Sequence, residues 1–181
     1  MFYFKRIEIN KNICDELKTW CASNMQTNNV PFMLLDLNKF VHECPLFINW
    51  TKEQELIVKL VVGIKVNANN EQVETQTPHI DLMDNNRNVA LNFPISGCEG
   101  TCTKMYKLIK GEQINVNLPD GTTYSKFSED SEFKQVAQFY LTQPTFFNTS
   151  VPHQVFNDTD ENRLSLSIRF ESNPKRLVNS G

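Results

Sequence analysis

The chain has 181 residues, 40% of them hydrophobic and 22% charged, with a formal net charge of −3. It is long enough to bury one substantial core and too short for two domains of ordinary size, so a single domain over 1–181 is expected. No segment concentrates Lys or Arg into a surface for phosphate backbones, and the charged opening MFYFKRIEIN lacks a long apolar run, which argues against a nucleic acid partner, an export signal and a membrane span.

In chain order, the first element is an amphipathic helix from Asn12 to Met25, with Ile13, Leu17, Trp20 and Cys21 at helical intervals and Asn12 as its N-cap. Between Pro31 and Trp50 the pattern breaks up, and short strands or turns are expected. From Leu56 the chain turns β-like. Strands are expected over Ile57 to Val66, Gln72 toward His79, Asn88 to Ile95, Thr101 to Ile109, Gln113 to Leu118, Gln135 to Leu141, Thr145 to Asn148, His153 to Phe156 and Arg163 to Phe170. Turn-rich pieces such as Leu118-Pro119-Asp120-Gly121 separate them. About eight short strands after residue 56 make a mostly β fold, a double-stranded β-helix of the jelly-roll or cupin kind. One or two helices pack on it. The expected organisation is an N-terminal helix with flanking strands over 1–55, the β-helix core over 56–171 and a polar tail over 172–181.

Cys14, Cys21, Cys44, Cys98 and Cys102 are odd in number and irregular in spacing. They read as free thiols in a reducing, cytoplasmic compartment, with Cys98 and Cys102 flanking a turn through Glu99 and Gly100.

The chemistry is concentrated in two of the three histidines, which stand in Thr77-Pro78-His79-Ile80-Asp81 and Ser150-Val151-Pro152-His153-Gln154. In extended chain, residues two apart point to the same face, so His79 and Asp81 can present an imidazole and a carboxylate together. His153, on a late strand, is the candidate third ligand. Two imidazoles and one carboxylate leave three positions free on an octahedral metal, which suits iron(II) binding a bidentate cosubstrate and dioxygen; no H-E-x-x-H helix points to zinc. A strand-end histidine bonded to its own neighbouring carboxylate would account for His79 and Asp81 equally well. What tips the balance is Arg163-Leu164-Ser165, beginning ten residues after His153. Arg163 and Ser165 share a strand face, and a guanidinium beside a hydroxyl is what the distal carboxylate of a dicarboxylic acid needs. His42 has no spacing that ties it to this set, and Arg87 reads as a solvated loop arginine.

The order H-x-D, several strands, then H followed by R-x-S resembles the 2-oxoglutarate/iron(II)-dependent oxygenase superfamily. The stretch NVALNFPISGCEGTCTKMY looks like small phage-encoded members of it. The resemblance covers roughly residues 56–171. It implies iron(II) on His79, Asp81 and His153, with 2-oxoglutarate anchored by Arg163 beside Ser165 and lined by Asn92 and Tyr106. Arg169, on the same face by parity, is the rival anchor. It implies a dioxygen-consuming hydroxylase that releases succinate and CO2, since related halogenating enzymes lack the carboxylate that Asp81 supplies. The substrate class expected is an amino acid, a peptidyl side chain or another small molecule, in a cytoplasm that could be that of an infected host cell. Two rival readings are a non-catalytic cupin-like binding module and a jelly-roll interaction protein.

Overall fold

The computed structural model describes residues 2–25, 31–70, 77–82, 88–117 and 123–179. After strand β1 (Phe4–Arg6), helix α1 runs Lys11–Asn24. Its cap is Asn10 and not Asn12: the Asn10 backbone is still extended, and its side chain accepts the Asn12 N–H. Ile13, Leu17, Trp20 and Cys21 are buried, as the periodicity requires.

The stretch expected to hold only short strands or turns contains one strand, β2 (Phe32–Leu34), and two helices, α2 (Leu37–Glu43) and α3 (Pro45–Glu53). Asp36 caps α2 by accepting the Lys39 N–H. The free N–H groups of Leu46 and Phe47 in the first turn of α3 are accepted by the Glu16 carboxylate of α1, thirty residues away, so the cap of this helix is tertiary. Edge-on contacts of Trp20 with Phe40, Phe40 with Phe47 and Phe47 with Phe93 fasten the three helices to each other and to the sheet below. His42 is exposed on α2.

The remaining strands are β3 (Val58–Val66), β4 (Ile80–Leu82), β5 (Val89–Ser96), β6 (Cys102–Lys110), β7 (Gln113–Asn117), β8 (Thr123–Phe127), β9 (Glu132–Tyr140), β10 (Thr145–Asn148), β11 (His153–Phe156) and β12 (Arg163–Phe170). Among the described residues these are ten, against the nine ranges expected. β4 is very short, and β8 has too few β-branched residues to announce itself. Residues 72–76 of the strand expected from Gln72, the turn at Leu118 to Gly121, and Arg87 lie outside the described residues. A short helix α4 (Lys175–Asn179) follows β12, where a loose tail was expected. Among the described residues, four α-helices therefore replace the expected one or two. Among the described residues, no helix is long and apolar enough to cross a membrane.

The strands form two antiparallel leaves of a jelly roll. The first is β1-β10-β5-β12-β3-β2. The second consists of β9-β6-β11 and β4-β8-β7, joined among the described residues by a bridge between His79 and His153. One face of the first leaf carries Val61, Leu91, Phe93, Phe146, Leu166, Ile168 and Phe170 against the helices. The other face turns toward the second leaf, where Ala90 and Phe147 meet Met105 and Phe139 in a separate apolar cluster.

Two devices fix the start of β12. Buried Asn157 donates to the carbonyls of Val66, Asn67 and Glu161, closing the loop before the strand. Gly97 has φ of +58°, and a Cβ there would stand 2.2 Å from the Asn162 carbonyl oxygen. That oxygen belongs to the backbone and cannot swing aside. We expect Gly97→Ala to cost about 2–4 kcal/mol, from the left-handed backbone and the overlap together, as read from urea unfolding midpoints.

Candidate metal centre

His79 and Asp81 come from the strand edge at β4, and His153 opens β11. His79 and His153 are main-chain partners, each N–H donating to the other's carbonyl at 2.9 Å. Their rings lie 4.6 Å apart between centroids. One ligand atom from each of His79, Asp81 and His153 can be chosen so that all lie within 4.8 Å of one another. Sequence reasoning named these three, and the fold brings them together.

The tautomers follow from hydrogen bonding. His79 Nδ1 is 3.1 Å from the Thr77 carbonyl and His153 Nδ1 is 2.9 Å from the Val151 carbonyl, the residue two before in each case. A carbonyl can only accept, so each Nδ1 carries a proton, and in the neutral ring the lone pair is at Nε2. Both Nε2 atoms face Asp81, His79 toward Oδ1 and His153 toward Oδ2, each at 3.7 Å. Two imidazoles and a carboxylate around one point form a donor set for a divalent cation.

Arg169 donates to Asp81 Oδ2 at 2.8 Å. This partnership spans 88 residues and has no local signature. Burial by itself would raise the Asp81 carboxyl, but the charges of His153, Arg169 and His79 and the Arg169 hydrogen bond outweigh it, and the group titrates below its ordinary value. His153 is pushed down to about 4, first by burial and then by His79 beside it. Unfolded histidine titrates near ~6.5. Between those values the unfolded chain holds the extra proton, so the stabilisation is complete above about pH 6.5, declines as pH falls and is gone below about pH 4. It amounts to about 3 kcal/mol. Urea unfolding of the metal-free protein should show this slope between pH 7 and 4.5, and His153→Gln should flatten it.

β12 continues from the centre as a buried polar file. Arg163, Ser165, Ser167 and Arg169 share the face that looks toward the second leaf, while Leu164, Leu166, Ile168 and Phe170 alternate toward the helices. Asn92 on β5 pairs in register with Ser167 and adds its side chain to the file. Among the described residues, Arg163 Nε and Nη1, Ser165 Oγ, Ser167 Oγ, Asn92 Oδ1 and Arg169 Nη1 are buried without a hydrogen-bond partner. Buried polar atoms are ordinarily paired, so this run of donors and acceptors has the chemistry of a site for a small polar anion. Among the described residues, no carboxylate pairs with Arg163. The groups beside it are the thiols of Cys98 and Cys102, and burial lowers its guanidinium. As expected, Cys98 and Cys102 are free thiols and flank a turn, closed by the Thr101 N–H on the Cys98 carbonyl.

Tyr106 does not join the file. A bulge falls between Met105 and Tyr106, and its hydroxyl donates to Gln154 Oε1 at 3.4 Å. Gln154 alternates with His153 and so points away from the centre.

No protein-family model and no curated protein sequence matches the chain. Among solved structures, a prolyl-4-hydroxylase from Pseudomonas putida aligns over 96% of this chain and 94% of its own, at 14% identity and a TM-score of 0.46. Similarity this shallow fixes neither family nor substrate.

Proposed function

We propose that the protein is a 2-oxoglutarate- and iron(II)-dependent oxygenase that hydroxylates a C–H bond of an amino acid, a peptidyl side chain or another small substrate, releasing succinate and CO2. The observation that carries this reading is the buried guanidinium of Arg163, with two nitrogens that lack a partner among the described residues, at one end of a polar file whose other end, Arg169, holds the Asp81 carboxylate. A lone buried cation is costly unless an anion arrives to meet it.

His79, Asp81 and His153 would hold iron(II), and Arg163 with Ser165 would take the distal carboxylate of 2-oxoglutarate, with Asn92 and Ser167 lining the way. When bound, iron(II) and 2-oxoglutarate together supply the activation of dioxygen that hydroxylation requires. The chain's own part is positional. The Thr77 and Val151 carbonyls accept from the two Nδ1 atoms and so hold each Nε2 toward Asp81, and Arg169 occupies Asp81 Oδ2, leaving Oδ1 as the less encumbered donor. Because Arg169 is engaged there, Arg163 is the better anchor of the two. The carboxylate of Asp81 favours hydroxylation over halogenation, for the reason that the family resemblance supplies.

Anaerobic titration of the metal-free protein with iron(II) and 2-oxoglutarate tests this reading. A weak visible charge-transfer band that Asp81→Ala abolishes is expected. A folded protein that gives no band with iron in excess would leave a non-catalytic binding module as the better account.

A further inference from the structure

Four consecutive strands of the second leaf make one bent ribbon. β6 runs into β7 and β8 into β9, while β6 pairs with β9 and β7 with β8. The bend falls at Gly111 and Ser128. The Glu112 N–H donates to Ser128 Oγ, the Ser128 N–H returns to the Glu112 carbonyl, and Gly111, with φ of +110°, passes so close to Ser131 that a Cβ would collide with it. The near half of the ribbon pairs with β11 through β6, and the far half pairs with β4 through β8. Because β11 and β4 are themselves bridged at His153 and His79, the ribbon flanks the metal-ligand cluster on both sides.

Main-chain alternation decides what the far half presents there. The His79 N–H bonds to the His153 carbonyl and the Asp81 N–H to the Thr149 carbonyl, so the main chain of both residues faces the β11 side. Ile80 and Leu82 are left to face β8. Ile80 with Ser125 and Leu82 with Thr123 are therefore the hydrogen-bonded pairs, and Asp81 with Tyr124 is the non-hydrogen-bonded pair between them. Such a pair brings its α-carbons to about 4.5 Å and sets its side chains on one face. Asp81 points at Arg169 of the first leaf, so Tyr124 points into the space beside the cluster. The opposite face pins this parity: Ser125 is buried, donates to Asn115 Oδ1 at 2.6 Å and accepts from Gln113 Nε2 at 2.9 Å. A one-residue slip would carry those polar groups inward and Tyr124 out.

Tyr124 stands on the side from which the cluster is reached. Beyond His153 the leaves are closed, with Phe147 edge-on to its ring at 5.1 Å and Met105, its cross-strand partner, fully buried. On the first leaf, Asn92, Ser167 and Arg169 are buried as well. Side-chain exposure then climbs across the three ligands, from 4% at His153 through 12% at His79 to 29% at Asp81. Solvent meets the centre at Asp81. Among the described residues, the next side chain outward on that face is Tyr124, itself half-buried.

We propose that Tyr124 sets the width of the group admitted to the metal. Whatever reacts there passes over Asp81 along the β8 flank, and the ring of Tyr124 is the wall that admits a slender aliphatic group and turns away a broad or fused one. That the passing group is a substrate for hydroxylation rests on the oxygenase reading; the narrowing of the approach rests on the metal-ligand cluster alone.

The test loads the full chain with cobalt(II), whose visible bands report a change of ligand, and titrates it with imidazole and with benzimidazole. The two bind through the same kind of nitrogen and differ by a fused ring. The ratio of their dissociation constants cancels any change in folding or in cobalt affinity common to both. Tyr124→Ala is expected to shift that ratio toward benzimidazole by about tenfold or more, the discrimination that a few carbon atoms bring in a shaped pocket, and Tyr124→Trp to shift it the other way. Tyr106→Ala, on the outward face of β6, should hold the parent ratio. The proposal is overturned if the ratio survives both Tyr124 variants, if Tyr106→Ala moves it as far as Tyr124→Ala does, or if the cobalt bands of Tyr124→Ala respond to neither probe. Failure of the parent to bind cobalt(II) overturns it together with the metal centre. Recording the iron and 2-oxoglutarate band on the same proteins separates the two readings: a shifted ratio without a band sinks the oxygenase assignment alone, and a band with an unmoved ratio sinks the role of Tyr124 alone.

Discussion

Arg163→Met is expected to stabilise the metal-free protein by about 1–3 kcal/mol while weakening 2-oxoglutarate binding at least 100-fold. Arg163 is 2% exposed, and two of its guanidinium nitrogens have no partner among the described residues. Replacing a poorly compensated buried cation by an apolar side chain of similar length removes a desolvation cost. The same substitution deletes charge-assisted hydrogen bonds to an incoming carboxylate, worth about 1.5–3 kcal/mol each, and two of them exceed a factor of 100. Urea unfolding of the metal-free protein and titration of the charge-transfer band read the two effects separately. A destabilised Arg163→Met would mean that the guanidinium already serves the fold, and the anchor would have to be sought elsewhere.

Asp81→Ala is expected to abolish iron(II) binding and to cost about 2–3 kcal/mol of stability. It strands Arg169, whose Nη1 already lacks a partner among the described residues. The figure stands at the low end for a broken buried pair because the Asp81 side chain is itself partly exposed. Adding Arg169→Met should recover most of the stability and none of the metal binding. Unfolding curves of the single and double variants, with iron content after dialysis, decide it. Recovery of metal binding in the double variant would remove Asp81 from the ligand set.

The metal-ligand cluster was legible in the sequence because its signal is local. His79 and Asp81 obey strand alternation, and Arg163 and Ser165 obey it again. A further sign was available in the shared x-Pro-His pattern, since the carbonyl preceding each proline accepts the histidine Nδ1 proton. What could not be read depends on distant chain. Helix α3 takes its cap from Glu16, and the pairing of Arg169 with Asp81 joins strands 88 residues apart. Tyr106, which the resemblance implied as a lining residue, follows Met105 on β6 and by strand alternation faces the other way, toward Gln154. The first two of these relations come from tertiary packing, and no propensity or period encodes them.

The bridge between His79 and His153 is the described link that makes β9-β6-β11 and β4-β8-β7 one leaf. The two imidazoles are therefore rivets on either side of a seam, and the spacing of the seam is the spacing of the ligands. A cation held by both would clamp that seam shut. Its imprint on the protein's motions would be narrow: slower exchange of the His79 and His153 amide protons, with the helical layer behind the first leaf breathing as before. Conversely, anything that pried the seam open would release the ion and split the leaf in one event, so loss of metal and loss of the joint would be the same transition seen by two probes.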